Sequence, residues 1–284
     1  MRFKYCVFTV MTPDLELEEV ASTLRSLGYE GVEWRVTKIS KEPPVTIDFW
    51  RGNRATVDAS KVLEKAPEVK ALSDKYDLAI PALGTYVTAK ELEEVRRSME
   101  AARIMGCPQI RVGVPKYDGT RNYNELFDEP VEDYGKVEAL AKKYGVKANM
   151  EIHMGNICPS ASAARRFLSN FDPKHVGAVY DPGNMVYEGY ENWQMGLEIL
   201  GPYLAHVHVK NSKWEVFTEE DGVKRWRATS AGMKEGHVYW GEVLAALRKV
   251  GYKGWLSFED FSKGETKVKL KEDIDYLKGL EKKL

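Results

Sequence analysis

Four side chains of cation-binding type close strand-like runs in the second half of the chain. Glu151 ends VKANME, Asp181 ends VGAVYD, His208 lies near the end of LAHVHVK, and Glu259 ends GWLSFE. Side chains alternate between the two faces of a strand. Val146, Ala148 and Met150 therefore oppose Lys147, Asn149 and Glu151; Ala205, Val207 and Val209 oppose His206 and His208; Leu256 and Phe258 oppose Trp255, Ser257 and Glu259. One face is apolar and the other ends in a metal-capable group. Taken singly, an acid at a strand end serves as a loop cap or surface charge, and a lone histidine is structural. Their recurrence on four successive strands points to a shared ion. Neighbouring strands lie about 4.8 Å apart, so such groups around one barrel mouth converge, and a divalent cation relieves the repulsion between buried acids. Three carboxylates with one imidazole form a mostly hard donor set, suited to Mn²⁺ or Mg²⁺ first and then to Co²⁺ or Zn²⁺.

Eight strand-like runs cover 3–10, 31–35, 78–84, 108–114, 146–151, 176–181, 204–210 and 254–259. Helix-like runs cover 15–28, 59–76, 88–105, 122–144, 160–169, 191–200, 240–250 and 267–283. Eight units of about 35 residues fit the size of a βα repeat. The alternation predicts an α/β fold, a (β/α)8 TIM barrel forming a single domain over 1–284. An open doubly wound sheet is the fallback, and no glycine-rich phosphate loop follows the first strand. Long loops at 36–58 and 211–239 follow strand C-terminal ends, where barrel enzymes build their sites.

The 284 residues carry 42 Lys and Arg against 43 Asp and Glu, so no global basic field recruits nucleic acid or anionic lipid. No run reaches the roughly 18 apolar residues of a membrane-spanning helix, and the N-terminal apolar stretch reads as a first strand, not a signal peptide. Three scattered cysteines make neither a disulfide framework nor a zinc ribbon and fit a reducing, cytoplasmic setting.

Other residues border the expected mouth. His206 lies two residues deeper than His208, behind the ion or in packing. His153 lies two beyond Glu151, where it contacts substrate or caps the loop. Lys210 shares the parity of His208 and either holds an oxyanion or lies solvated at the rim. Arg111 points inward from the fourth strand, to bridge carboxylates or touch substrate. Asn184 is a partner for a sugar hydroxyl. The loop 43–58 interleaves Phe49, Trp50, Arg51, Asn53 and Arg54, combining aromatic faces that stack on sugars with guanidinium groups that bind carboxylate or phosphate. Segment 213–237 reads as a hairpin turning near Asp221 and Gly222, at the pocket rim or an oligomer contact.

The segments MEIH (150–153), YDPGN (180–184), HVHVKN (206–211) and GYKGWLSFEDF (251–261) resemble the xylose isomerase-like TIM-barrel superfamily of sugar isomerases and epimerases. The resemblance implies one divalent metal on Glu151, Asp181, His208 and Glu259, with Glu151 and Glu259 also moving protons on a bound sugar. Through GYEGVEWR (28–35) it implies that Glu33 faces the mouth. It also implies a homodimer or homotetramer. Ketose 3-epimerases of that family carry Glu, His and Arg where this chain has Ile157, Asn184 and Trp214. The YDPGN and HVHVK forms look more like the broad sugar phosphate isomerase/epimerase group, which includes inosose dehydratase-like and keto-sugar lyase-like enzymes. The expected reaction is proton transfer next to a carbonyl through an enediolate on a ketose, sugar phosphate or related polyol, with dehydration or lysis as the alternative. A non-catalytic sugar-binding barrel is a further reading. An endonuclease IV-type repair enzyme is disfavoured, because five histidines are too few for a trinuclear zinc cluster.

Overall fold

The computed structural model describes residues 2–40, 42 and 45–284. Pro43 and Pro44, at the start of the aromatic loop, lie outside the described residues. The strands are β1 (Lys4–Phe8), β2 (Gly31–Thr37), β3 (Thr56–Asp58), β4 (Leu83–Thr85), β5 (Gln109–Arg111), β6 (Lys147–Glu151), β7 (Val176–Tyr180), β8 (Leu204–Val209), β9 (Ser212–Glu220), β10 (Val223–Ser230) and β11 (Trp255–Phe258). The α-helices are α1 (Leu17–Leu27), α2 (Val62–Lys75), α3 (Leu92–Met105), α4 (Tyr123–Tyr144), α5 (Ala161–Leu168), α6 (Pro182–Glu188), α7 (Trp193–Leu200), α8 (Trp240–Lys249) and α9 (Thr266–Glu281).

Eight parallel strands close in the order β1-β2-β4-β5-β6-β7-β8-β11, and β1 completes the ring by pairing with both β2 and β11. This is the expected (β/α)8 barrel. Apolar side chains such as Val32, Ala148, Val207 and Leu256 are buried. Burying each large aliphatic side chain is worth about 1.5–3 kcal/mol, which drives the alternating pattern into this closed form.

Three local differences from the expected strand limits matter for the site. First, β2 runs to Thr37, past the expected end at 35, because β3 extends its ladder: Arg35, Val36 and Thr37 pair with Thr56, Val57 and Asp58 above the end of β1. Second, the expected strand 78–84 is interrupted. Ala79 bridges Gly31, but the ladder resumes only at Leu83, since Pro81 has no N–H to donate. Third, an extra short helix, α6, begins immediately after Asp181. The expected hairpin is β9 and β10; positive φ at Asp221 and Gly222 gives the two-residue turn.

Gly84 has a packing reason. A Cβ there would lie 2.0 Å from the Phe8 ring. Phe8 thereby fills the barrel beneath the mouth, stacked 5.6 Å from the His208 ring. Among the described residues no helix is long and apolar enough to cross a membrane. All three cysteines are buried free thiols.

Candidate metal centre and active-site pocket

β6, β8 and the residues just beyond β7 and β11 bring Glu151, Asp181, His208 and Glu259 together. One ligand atom from each lies within 4.8 Å of the others, and all four side chains are buried. His208 Nδ1 is 3.0 Å from Glu151 Oε1, 3.9 Å from Asp181 Oδ2 and 3.8 Å from Glu259 Oε2. Asp181 divides its labour. As N-cap of α6 its Oδ1 accepts from the Asn184 N–H at 2.8 Å, with Pro182 at the first helical position. Its Oδ2 is buried and has no hydrogen-bond partner.

The electrostatics fit a divalent cation. Burial pushes the Asp181 carboxyl up to about 7; Lys210 opposes the rise, and Glu259 and Glu151 add to it. Burial alone would lower His208, but the negative charges of Glu33 and Glu151 outweigh it and hold the imidazole well above its ordinary value. The cluster thus holds extra protons on His208 and Asp181, and a dication replaces two protons without changing the total charge. With the orphaned Asp181 oxygen, the donor set suits a metal.

Surrounding residues fix these donors. Arg111 Nη1 reaches Glu151 Oε2 at 2.6 Å. Against the cost of burial, that guanidinium and His208 hold the Glu151 carboxyl well below the usual carboxylate range. Lys210 is buried; its Nζ donates to Glu259 Oε2 at 3.0 Å and to Asn184 Oδ1 at 2.9 Å, lies 3.8 Å from Asp181 Oδ2, and stands over the Phe261 ring. Gly183 permits this, since a Cβ there would meet Lys210 Cγ at 2.6 Å. Asn184 Nδ2 donates to Glu151 Oε1 at 3.4 Å and to the Ile152 carbonyl at 3.3 Å, so its amide is spent within the protein.

Glu33 is a correction. It does not face the mouth: it is 1% exposed and lies beneath His208. His206 Nε2 is 2.9 Å from Glu33 Oε2, and His208 Nε2 is 3.4 Å from Glu33 Oε1. Burial opposes its charge, but the two imidazoles hold the Glu33 carboxyl far below the usual range. Because β2 continues past 35, the inward position at the mouth belongs to Arg35, which sequence reasoning passed over. The parity of Glu33, carried two residues on to Arg35, was the available signal.

A cavity of about 780 Å³ opens above the cluster. Glu151, Glu259, Lys210, Arg111 and His153 line it, and Trp50, Phe49, Tyr86, Tyr187 and Phe261 wall it. His153 is half-buried, with Nδ1 2.7 Å from the Met154 carbonyl oxygen. Trp50 is 54% exposed and lies against Phe261. Ile157 is buried, and Trp214 on the hairpin donates to the Val186 carbonyl.

The family model described as "Xylose isomerase-like TIM barrel" matches residues 21–280. The chain belongs to this family. An inosose dehydratase of Geobacillus thermodenitrificans is 26% identical over 233 residues, covering 73% of this chain and 75% of that protein. The 3-keto-D-glucoside 4-epimerase YcjR of E. coli superposes with a TM-score of 0.73 at 16% identity, covering 98% of this chain and all of the other. The IOLI protein, solved with a bound zinc atom, superposes with a TM-score of 0.72 at 16% identity over 98% of this chain and 96% of that one. At these identities the two structures share the barrel with this chain.

Proposed function

We propose that the protein is a divalent-metal-dependent enzyme that moves a proton at the carbon next to a carbonyl of a sugar or cyclitol. The observation that carries this reading is the meeting of Glu151, Asp181, His208 and Glu259 at the floor of an aromatic-walled cavity, with one Asp181 oxygen buried and unpartnered. Those four residues would hold the metal, with Mn²⁺ or Mg²⁺ favoured by the carboxylates and Co²⁺ or Zn²⁺ next. When bound, it supplies Lewis-acid polarisation of a substrate oxygen.

The chain's own residues supply the rest. The aromatic walls offer faces that stack on the apolar face of the ring. Glu151 and Glu259 are the two carboxylates that face the cavity and can act on a substrate C–H. They are not equivalent. Both Glu151 oxygens are engaged, one by Arg111 and one by His208, whereas Glu259 shares one oxygen with the Lys210 ammonium. We therefore assign proton removal to Glu259.

The second step decides the product. Return of the proton on the other face or at the neighbouring carbon gives epimerisation or isomerisation, which requires Glu151 to give and take a proton. Departure of a β-hydroxyl gives dehydration, which requires a separate acid. Lys210, a buried ammonium beside Glu259, is placed to be that acid, although, against the cost of burial, Glu259, Asp181 and Glu151 hold its proton more firmly than usual; the similarity to inosose dehydratases supports dehydration.

Solvent deuterium incorporation, followed by NMR on a panel of ketoses and inososes with each of the four metals, tests the reading. Metal-dependent exchange with loss of water supports the dehydratase, and exchange with inversion or carbonyl migration supports the isomerase. Tight metal binding with no exchange on any member would identify a non-catalytic sugar-binding barrel and sink the proposal.

A further inference from the structure

A second cavity, of about 520 Å³, lies under the loop after β2, on the far side of Trp50. Trp50 lines both this cavity and the one above the metal cluster. Four cationic residues line the second cavity, Arg35, Lys38, Arg51 and Arg54, against one carboxylate, Glu42. Arg54 has a loose partner, Glu16, at 3.8 Å. Asp48, on the same loop, turns its Oδ1 onto the N–H groups of Trp50 and Arg51.

Arg35 is the unusual member. It is 6% exposed, and among the described residues no carboxylate lies within ion-pairing distance of it. Nη1 donates to Thr56 Oγ1 at 2.7 Å, Nη2 makes only a 3.5 Å contact with the Trp50 carbonyl, and Nε has no partner. Asp48 on the loop feels the charge of Arg35 but does not pair with it, and a buried guanidinium without an ion-paired anion is costly unless one completes it. The neighbouring Arg111 is the contrast, spent on Glu151. Both guanidinium groups lie on one ring, Tyr86, with Arg35 at 5.2 Å and Arg111 at 4.5 Å. The two cavities therefore adjoin across Tyr86 and Trp50.

We propose that the loop cavity is an oxyanion subsite that holds a phosphomonoester group of the substrate, with Arg35 as its anchoring cation. Four cations line the cavity against one lining acid, with Glu16 and Asp48 outside the lining; several guanidinium donors around one space suit an anion with several terminal oxygens better than a carboxylate, and arginine is the side chain best shaped to hold it. The lining of this cavity alone supports anion binding. That the anion is part of the substrate rests on the metal-dependent sugar chemistry proposed above. In that arrangement the ring lies over the metal cluster, and its phosphorylated arm passes Trp50.

Calorimetric titration of the full chain tests this in two arms. The first uses inorganic phosphate on the metal-free protein, wild type against Arg35→Gln. The second uses fructose against fructose 6-phosphate, and myo-inositol against its 1-phosphate, on the metal-loaded protein. The expected result is phosphate binding weakened about tenfold or more in Arg35→Gln, and a preference of about tenfold or more for the phosphorylated partner that this variant loses. Arg51 and Arg54 are exposed, so an Arg51→Ala/Arg54→Ala double variant, expected to weaken both signals, gives the answer if Arg35→Gln does not fold. Absence of phosphate binding, or equal binding in wild type and variants, overturns the subsite. Arg35-dependent phosphate binding without any gain for phosphorylated substrates overturns the substrate-borne source and leaves a site for free anion. Failure of the deuterium-exchange test with Arg35-dependent binding intact sinks the reaction and not the subsite.

Discussion

Glu33 faces the Nε2 edge of His208 at 3.4 Å, on the side of the ring away from Glu151, Asp181 and Glu259. A carboxylate there accepts the Nε2–H and leaves the Nδ1 lone pair directed at the acidic cluster, so it selects the imidazole tautomer that can bind a metal. Glu33→Gln keeps the shape and removes the charge. Metal affinity is expected to fall about 10–100-fold, read by competition with a chelating dye. Unchanged affinity with a stable fold would show that Glu33 has no part in orienting His208.

The same geometry sets a pH dependence. His208 is held well above its ordinary value and Asp181 is raised to about 7, so both carry protons at mildly acidic pH in the metal-free protein. Binding a metal requires both to be deprotonated. Affinity is therefore expected to rise from pH 5.5 to 8, and binding to release protons. Calorimetry at pH 6 in two buffers of different ionisation enthalpy checks this; equal apparent heats in both would exclude coupled proton release.

Much of this site was legible because a strand's two-residue period is rigid. Once Glu151, His208 and Glu259 are put at strand ends, their convergence follows from barrel closure. The depth of Glu33 was not legible, because depth depends on where a strand stops, and β2 is prolonged by a pairing with β3 from a distant part of a loop. The cap role of Asp181 was signalled by Pro182, a favoured first residue of a helix, but α6 is too short to show a helical period. The burial of Lys210 was hidden for another reason. It depends on the absent side chain of Gly183 and on the Phe261 ring, which are contacts between separate βα units and leave no pattern along the chain.

Removing the charge from either cavity-facing glutamate should be far more damaging than changing the histidine beneath. Glu259→Gln and Glu151→Gln are each expected to lower kcat by at least about 10³-fold, the first through loss of the proposed base and a proposed metal donor, the second through loss of a proposed metal donor bound to Arg111 and His208. His206 bonds Glu33 and packs edge-on against His208 without being one of the four clustered donors, so His206→Asn is expected to cost roughly tenfold. Similar mild losses in all three variants would contradict the assignment.

Asp273, on α9 and outside the four-residue cluster, predicts a stability effect. Burial pushes its carboxyl up to about 8, with Asp260 adding to the rise and Lys269 opposing it, and its Oδ2 has no partner. In the unfolded chain the same group ionises near about 4. Between those values the folded state binds the extra proton, so this residue's contribution to stability falls as pH rises from about 4 to about 8. Asp273→Asn cannot titrate and removes that slope. The difference in Tm, variant minus wild type, is expected to be more positive at pH 9 than at pH 5. A difference independent of pH would mean that Asp273 does not hold its proton in the fold.

Lys210 separates the two halves of the proposed reaction. Its ammonium is 3.0 Å from Glu259 and is also bonded to Asn184, so it is held in the cavity floor without being one of the four proposed metal donors. If it protonates a departing β-hydroxyl, the initial removal of the C–H proton does not need it. Lys210→Met fills a similar volume without the proton, and a bound metal limits the harm of leaving Glu259 without its ammonium partner. This variant is expected to retain deuterium exchange within about tenfold of wild type while dehydration falls by about 10²-fold or more, the scale of a lost general acid. Parallel loss of exchange and product would instead make Lys210 a group that holds Glu259 or the substrate in place for the first step, and the case for dehydration over epimerisation would lose its structural basis.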